Sequence, residues 1–132
     1  MNEAIRRALK TDKLIDIITI GVKSGQPRTT EIWFMNVNGR IIICGTPNTD
    51  GKSGTYTPRD WMANLLATPD FTFCFKESIH AQLAATAKPI TDLADRRYLM
   101  SAPATQWYRD QVESIDDLVT GSPIVEIFFK GV

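Results

Sequence analysis

The most distinctive group of polar residues is a short turn, Gly-Val-Lys-Ser-Gly-Gln-Pro-Arg, at residues 21–28. Lys23 and Arg28 stand on either side of Ser24 and Gly25, which are typical turn residues. The backbone N–H groups of a tight turn, a hydroxyl and two cations can hold a phosphate together, and each charge-assisted hydrogen bond contributes about 1.5 to 3 kcal/mol. The alternative is a hairpin turn in solvent, which is the commoner explanation of so short a motif.

Two further segments could bind a ligand. The short side chains of Gly45 and Thr46, where a strand ends, would let a flat molecule approach the backbone, although an ordinary loop fits equally well. Trp61 and Asn64 are three residues apart and therefore share one face of a helix. A buried tryptophan is more often core than ligand platform, but an asparagine on an apolar face needs a hydrogen-bond partner.

The sequence offers little acid–base chemistry of its own. His80 is its single histidine, and no Ser-His-Asp, Cys-His or paired-carboxylate arrangement can be assembled around it, which disfavours a hydrolase with its own nucleophile. Tyr56, Tyr98 and Tyr108 are unranked candidates for a proton donor. Trp107 and the adjacent Tyr108 could line the binding site of an aromatic substrate, or they could cover an open end of the fold.

Composition excludes several classes of protein. The 132 residues, 43% hydrophobic and 23% charged, predict one domain spanning residues 1–132. Fifteen basic and fifteen acidic residues cancel, so we expect no nucleic-acid partner. Cys44 and Cys74 lie in apolar runs and indicate buried thiols, with no metal site. The absence of a signal peptide or an apolar spanning segment predicts a cytoplasmic protein.

Hydrophobic periodicity and turn residues predict the elements that position these side chains. The predicted strands are residues 14–22, 29–37, 40–44, 71–75, 79–87 and 124–129. Helices are predicted at residues 2–10, from Thr57 and Pro58 to about 67, from Thr91 to about 100 with an Asp92–Arg96 pair, and at about 105–112. The polar residues 45–57 form a candidate active-site loop. Six mainly antiparallel strands with a few short helices predict an α+β protein whose sheet curls into a barrel.

Two separated motifs resemble the deazaflavin-dependent nitroreductase family. They are G-x-K-S-G-Q-P-R, followed by T-x-x-W-F, and D-W-M-A-N-L-L-A-T-P-D-F-T-F. The resemblance covers roughly residues 12–100 and implies a split β-barrel of the flavin and deazaflavin oxidoreductases, related to pyridoxamine phosphate oxidases.

The resemblance also implies a set of cofactor-binding residues. The phosphate and tail would be bound by the turn residues Lys23, Ser24, Gly25 and Arg28. The deazaflavin ring and phosphate would meet the backbone of a strand exit at Cys44, Gly45 and Thr46, and the same cofactor would be flanked by the helix positions Trp61 and Asn64. Many members carry arginine where this chain has Val22. One fewer cation leaves FMN, with its single phosphate, as the alternative to the deazaflavin coenzyme F420.

We therefore predict an oxidoreductase that uses reduced deazaflavin, or FMN, to transfer a hydride to a quinone, a nitroaromatic or another conjugated acceptor. The alternative is a non-catalytic carrier of a flavin, tetrapyrrole or lipid on the same barrel. Trp33, Phe128 and Phe129 could form the interface of a homodimer.

Overall fold

A computed structural model describes residues 1–47 and 60–131. The strands are β1 (Leu14–Ile20), β2 (Pro27–Trp33), β3 (Met35–Val37), β4 (Arg40–Cys44), β5 (Asp70–Phe75), β6 (Ala81–Pro89) and β7 (Ile124–Phe129). The helices are α1 (Glu3–Thr11), α2 (Asp60–Ala67), α3 (Leu93–Met100), α4 (Gln106–Arg109) and α5 (Ile115–Gly121), with a 3₁₀ turn at Pro103–Thr105. The strands form one antiparallel sheet in the order β2-β1-β5-β6-β7-β4-β3.

The sheet curls because its two ends are neighbours in the sequence. Its order begins with β2 and ends with β3, and Phe34 alone separates these strands. The side chain of Phe34 is buried, and its N–H donates to the carbonyl oxygen of Lys13 at 2.9 Å. The predicted single strand at residues 29–37 is therefore wrong: it is interrupted at Phe34, and the described residues form seven strands instead of the predicted six. The predicted α+β class with a curled antiparallel sheet is confirmed.

Two apolar layers pack against the strands. The barrel interior contains alternate residues of β1, such as Ile15 and Ile17, and an edge-to-face cluster of Phe34, Phe73 and Phe75. A second cluster lies under α3 and α5 on the other side of β4. Residues 41–44 of β4 are buried on both faces, which explains their uninterrupted apolar sequence.

Turn and cap chemistry confirms the local predictions at the amino-terminal end. Asn38 and Gly39 have φ angles of 52° and 89°, as a two-residue hairpin turn requires. Gly25 has a φ of 68°, so a residue with a side chain would be strained there. The Asn2 side chain accepts a hydrogen bond from the N–H of Ile5 at 2.8 Å and caps α1.

The region around α3 differs from the prediction. Asp92, and not Thr91, caps α3 by accepting a hydrogen bond from the N–H of Asp95. The expected Asp92–Arg96 pair is wrong, because the Arg96 guanidinium donates to backbone carbonyls instead. Those carbonyls belong to Ile90, Val119 and Ser122. The carbonyl of Val119 lies in α5 and that of Ser122 lies just after it. The sequence analysis did not predict helix α5.

The predicted helix start at Thr57 and Pro58 lies outside the described residues, as does most of the predicted loop at residues 45–57.

Candidate active site

The turn between β1 and β2 is held by its own backbone. The N–H of Gly21 donates to the carbonyl of Gln26, and the N–H of Gly25 donates to that of Gly21, both at 2.9 Å. The Ser24 hydroxyl accepts from the N–H of Gln26 at 3.1 Å. A Cβ atom on Gly21 would come within 2.6 Å of this hydroxyl oxygen, so a larger residue at position 21 would displace the Ser24 side chain.

Asn64 fastens this turn to helix α2. Its side-chain oxygen accepts from the N–H of Val22 at 3.0 Å, and its amide nitrogen donates to the Thr19 hydroxyl at 3.2 Å. Thr19 is fully buried and Asn64 is 9% exposed. The partner that an asparagine on an apolar helix face needs is therefore found within the protein.

Strand register directs the second cation of the turn toward the same helix. Arg28 lies opposite Thr19 in the β1–β2 ladder, and residues opposite each other in an antiparallel pair share one face of the sheet. Thr19 faces inward, so Arg28 leaves the strand on the side where α2 packs. Among the described residues neither Lys23 nor Arg28 forms an ion pair.

The turn and α2 enclose a basic groove of about 460 Å³. The described residues that line it are Gly21, Val22, Lys23, Ser24, Arg28, Thr29, Thr30, Asp60, Trp61, Ala63 and Asn64. The structure thus brings together the predicted phosphate turn and the predicted helix face. Asp60 adds one acidic group to the two cations, while Val22 is 55% exposed and contributes no charge.

A central cavity of about 490 Å³ adjoins the basic groove and shares Thr30 and Trp61 with it. Its described lining is Leu14, Thr30, Glu31, Ile32, Trp33, Cys44, Gly45, Thr46, Trp61, Trp107 and Tyr108. The predicted strand exit at residues 44–46 therefore lies beside the predicted tryptophan. Trp61 is only 7% exposed, and it belongs to the barrel core while bordering both spaces.

Aromatic rings form the far wall of the central cavity. The rings of Trp33 and Trp107 are 5.7 Å apart at an interplanar angle of 69°, and those of Trp107 and Tyr108 are 5.1 Å apart at 84°. Trp33 and Trp107 remain 45% and 49% exposed. Two large exposed rings at the mouth of a cavity are typical of a ligand-binding wall.

The candidate proton donors occupy different places. Tyr108 is buried and lines the central cavity. Tyr98 lines neither space, and its hydroxyl accepts from the Asn38 side chain at 2.6 Å on the β3–β4 hairpin. Tyr56 lies outside the described residues.

His80 borders a separate groove on the outer face of the sheet, beside Cys74 and Lys76. Burial and the nearby Asp16 carboxylate raise the pKa of the Cys74 thiol, which keeps it protonated and unreactive. The Lys76 ammonium donates hydrogen bonds to the carboxylates of Asp16 and Glu31, and these bonds raise its pKa. Among the described residues, the linings of this groove and of the basic groove share Thr29.

Sequence reasoning missed Thr19 and Trp33 as residues of the site. In β1, every second residue faces inward, and Thr19 follows Ile15 and Ile17 in this alternation. A polar residue at an inward position was therefore a signal in the sequence for a buried hydrogen bond. Trp33 was expected at a dimer interface. Its contact with Trp107 joins residues far apart in the sequence, and no local pattern indicates it.

The curled antiparallel sheet is that of the split-barrel fold. Solved structures share the fold: an F420 reductase has a TM-score of 0.66 at 13% identity, covering 99% of this chain and 97% of that one. A FAD-binding protein from Mesorhizobium loti has a TM-score of 0.65 at 10% identity, covering 98% and 91%. A pyridoxamine 5′-phosphate oxidase-like protein from Listeria innocua has a TM-score of 0.63 at 8% identity, covering 96% and 90%.

Within this class the chain belongs to the F420H(2)-dependent quinone reductase family, whose profile matches residues 2–120. It is thus a deazaflavin-dependent oxidoreductase, and its cofactor is F420. In the part of the chain that the structure describes, no helix is both long enough and apolar enough to cross a membrane.

Proposed function

We propose that the protein uses reduced F420 to reduce a quinone, with the cofactor phosphate in the basic groove and its ring in the central cavity. The observation that carries this proposal is that the two spaces lie side by side and share Thr30 and Trp61 as lining residues. Two cations line the basic groove and aromatic rings line the central cavity. This arrangement suits a molecule with an anionic tail and a planar ring.

The described residues fit a phosphorylated cofactor. Lys23 and Arg28 have no ion-pair partner among them, and both line the basic groove. We propose that these two cations bind the phosphate and the acidic tail. Asn64 positions them by fixing the turn through Val22.

Bound F420 supplies the reducing equivalents for the reaction. The chain supplies orientation and exclusion of water. We propose that Trp33 and Trp107 hold the acceptor ring against the central cavity. We assign the role of proton donor to Tyr108, because it is the described tyrosine that borders this cavity. A quinone is the favoured acceptor because the wall is aromatic, and a nitroaromatic is the second candidate.

The proposed homodimer now depends on fewer residues. Trp33 lines the central cavity, and Phe129 packs edge-to-face on Phe73 at 5.1 Å. Phe128 is 45% exposed on β7 and is the remaining apolar candidate for an interface. One solved structure with a TM-score of 0.54 at 16% identity is described as a domain-swapped dimer. The dimer and a cytoplasmic location both stay predictions.

The experiment that tests the function starts with equilibrium titration of the purified protein with F420 and with FMN, followed by menadione turnover with reduced F420. We expect saturable F420 binding, weaker FMN binding, and turnover. Binding of F420 without reduction of any quinone or nitroaromatic would instead support the carrier alternative.

Two variants locate the cofactor phosphate. Lys23→Ala and Arg28→Ala should each weaken F420 affinity by about 1 to 3 kcal/mol, or roughly 5- to 150-fold, and leave stability nearly unchanged because both side chains are exposed. Lys88→Ala and Arg7→Ala are matched controls, since both are exposed and line no described cavity. Unchanged affinity in both Lys23→Ala and Arg28→Ala would exclude the phosphate site.

A further inference from the structure

Helix α4 carries part of the wall of the central cavity but is too short to be stable alone. It consists of the four residues Gln106–Arg109, and the cost of nucleation makes an isolated helix of this length unstable. Trp107 and Tyr108, which line the central cavity, lie next to each other within it. Contacts with the rest of the chain must therefore determine where these two rings lie.

Arg109 links α4 to the end of helix α3. Its Nη1 donates to the carbonyl oxygens of Met100 at 2.6 Å and Ala102 at 2.8 Å. Its Nη2 donates to Oε1 of Gln106, at the start of α4, at 2.6 Å. Met100 is the last residue of α3, so its carbonyl has no partner within that helix, and a cation is favourable at this end of the helix dipole. One guanidinium thus binds the end of α3 and the start of α4.

The segment between the two helices is fixed by buried contacts. Thr105 is fully buried, and its hydroxyl donates to the carbonyl of Leu99 at 2.7 Å. Leu99 and Met100 are themselves fully buried and belong to the second apolar cluster. The end of α3 is therefore held firmly in the core, and Arg109 holds α4 against it.

Arg109 itself lies outside the site. It lines none of the described cavities, and within residues 1–47 and 60–131 it forms no ion pair. Its hydrogen bonds reach the segment from Met100 to Gln106. Any influence of Arg109 on a bound molecule must therefore pass through the residues of α4.

We propose that Arg109 is a positioning residue for the reduction and acts through Tyr108. The proposal rests on the proposed function, in which the Tyr108 hydroxyl gives its proton to an oxygen of the acceptor and regains one from water. A proton donor must lie within hydrogen-bond reach of the atom that it protonates, and a displacement of about 1 Å can lower a rate about 100-fold. Without the hydrogen bonds of Arg109, α4 shifts relative to α3 and the Tyr108 hydroxyl leaves that range.

The test compares Arg109→Met and Arg109→Lys with the wild type in the reduction of menadione by reduced F420. Titration with F420 counts the folded sites, so a loss of folded protein is not mistaken for a loss of activity. Arg109→Met should lower kcat per site at least about tenfold and leave the F420 dissociation constant unchanged. Arg109→Lys keeps a cation at the end of α3 but loses the fork that also reaches Gln106, so its kcat should lie between the two. A wild-type kcat in every folded Arg109 variant would refute the positioning role.

Two further variants test the specificity of the effect and its route. Arg97→Met is the matched control, since Arg97 is an exposed arginine of α3 that binds Asp116 and lines no described cavity; its kcat should equal that of the wild type. Adding Arg109→Met to Tyr108→Phe should lower kcat no further, because the proton donor is already absent. An equal loss of kcat on adding Arg109→Met to the wild type and to Tyr108→Phe would refute action through Tyr108.

Near-ultraviolet circular dichroism without F420 separates this proposal from the proposed function. The Trp107 ring is 5.7 Å from that of Trp33 and 5.1 Å from that of Tyr108, so a shift of α4 should change the spectrum of these rings. Arg109→Met should alter the spectrum, and Arg97→Met should not. An altered spectrum beside a wild type that reduces no acceptor would support the link between Arg109 and α4 and contradict the proposed function. An unaltered spectrum beside an active wild type would refute the link and leave the proposed function intact.

Discussion

Replacing Asn64 with leucine should release the turn between β1 and β2 from helix α2. The substitution removes two hydrogen bonds, from the N–H of Val22 at 3.0 Å and to the hydroxyl of Thr19 at 3.2 Å. Leucine is close to asparagine in size and suits the apolar face of α2. The effects should therefore report lost hydrogen bonds and not a cavity.

The two lost bonds differ in their consequences. Val22 is 55% exposed, so water can replace the partner of its N–H, and the loss is about 0.5 to 1.5 kcal/mol. Thr19 is fully buried, and leaving its hydroxyl without a donor destabilises by about 1 to 3 kcal/mol. Together these predict that Asn64→Leu lowers the free energy of unfolding by about 1.5 to 4.5 kcal/mol, and Tm by roughly 5 to 20 °C.

A double-mutant cycle with Thr19→Val measures the buried bond. Once Thr19 has lost its hydroxyl, Asn64→Leu should be less harmful, so the two losses should sum to more than the loss in the double variant. F420 affinity should fall in Asn64→Leu, because the turn that carries Lys23 and Arg28 is no longer fixed. It should be nearly unchanged in Thr19→Val, where the bond to Val22 remains.

The assays are urea unfolding for stability and fluorescence titration for F420. An Asn64→Leu protein as stable as the wild type would refute the proposal that the side chain of Asn64 stabilises the contact between the turn and helix α2. Wild-type stability with a large loss of F420 affinity would instead favour direct contact between Asn64 and the cofactor.

Three other substitutions test features of the fold. Gly21→Ala should weaken F420 binding by about 0.5 to 1.5 kcal/mol, because its Cβ displaces the Ser24 hydroxyl 2.6 Å away and so disturbs the hydrogen bond from the N–H of Gln26; Ser24→Ala, which removes the same hydroxyl, should weaken binding to a similar degree, and an unchanged affinity in Gly21→Ala would contradict the collision. Hydrogen bonds from backbone N–H groups lower the pKa of Glu77 from its ordinary value of 4.5, so its carboxylate stabilises the fold above that pH and the stabilisation is lost as pH falls through the lowered pKa. Glu77→Gln should accordingly be less stable than the wild type at pH 7 and equal to it near pH 2; a constant difference across that range would exclude ionisation as the cause. Arg40→Met should destabilise by about 1 to 3 kcal/mol, because Arg40 donates two hydrogen bonds to Asp95 at 2.7 and 2.9 Å and lowers the pKa of that carboxyl; an unchanged Asp95 titration by NMR in the variant would contradict this.

The parts of the fold visible in the sequence are those set by local chemistry. The turn at Asn38 and Gly39 needs positive φ angles, and the cap at Asn2 needs a short side-chain acceptor, so residue type alone indicates both. The break at Phe34 depends on a hydrogen bond to Lys13, a residue in a different segment. No local pattern contains that information.

The same distinction applies to the site. Lys23 and Arg28 were recognisable as turn cations, and Trp61 and Asn64 as neighbours on one helix face. That these two pairs share a groove depends on contacts such as that between Val22 and Asn64, which are 42 residues apart. Helix α5 was missed because its carboxyl-terminal carbonyls are stabilised by Arg96 of another helix, and not by a glycine beyond its end.

The position of β7 has a consequence for how the chain assembles. β7 is the seventh strand in the sequence, yet it pairs with both β6 and β4 in the middle of the sheet. Until β7 has been synthesised, β4 and β6 each expose an unpaired edge, and exposed edges of apolar strands promote intermolecular association. The β3–β4 hairpin therefore joins the rest of the sheet only once β7 pairs with both β4 and β6.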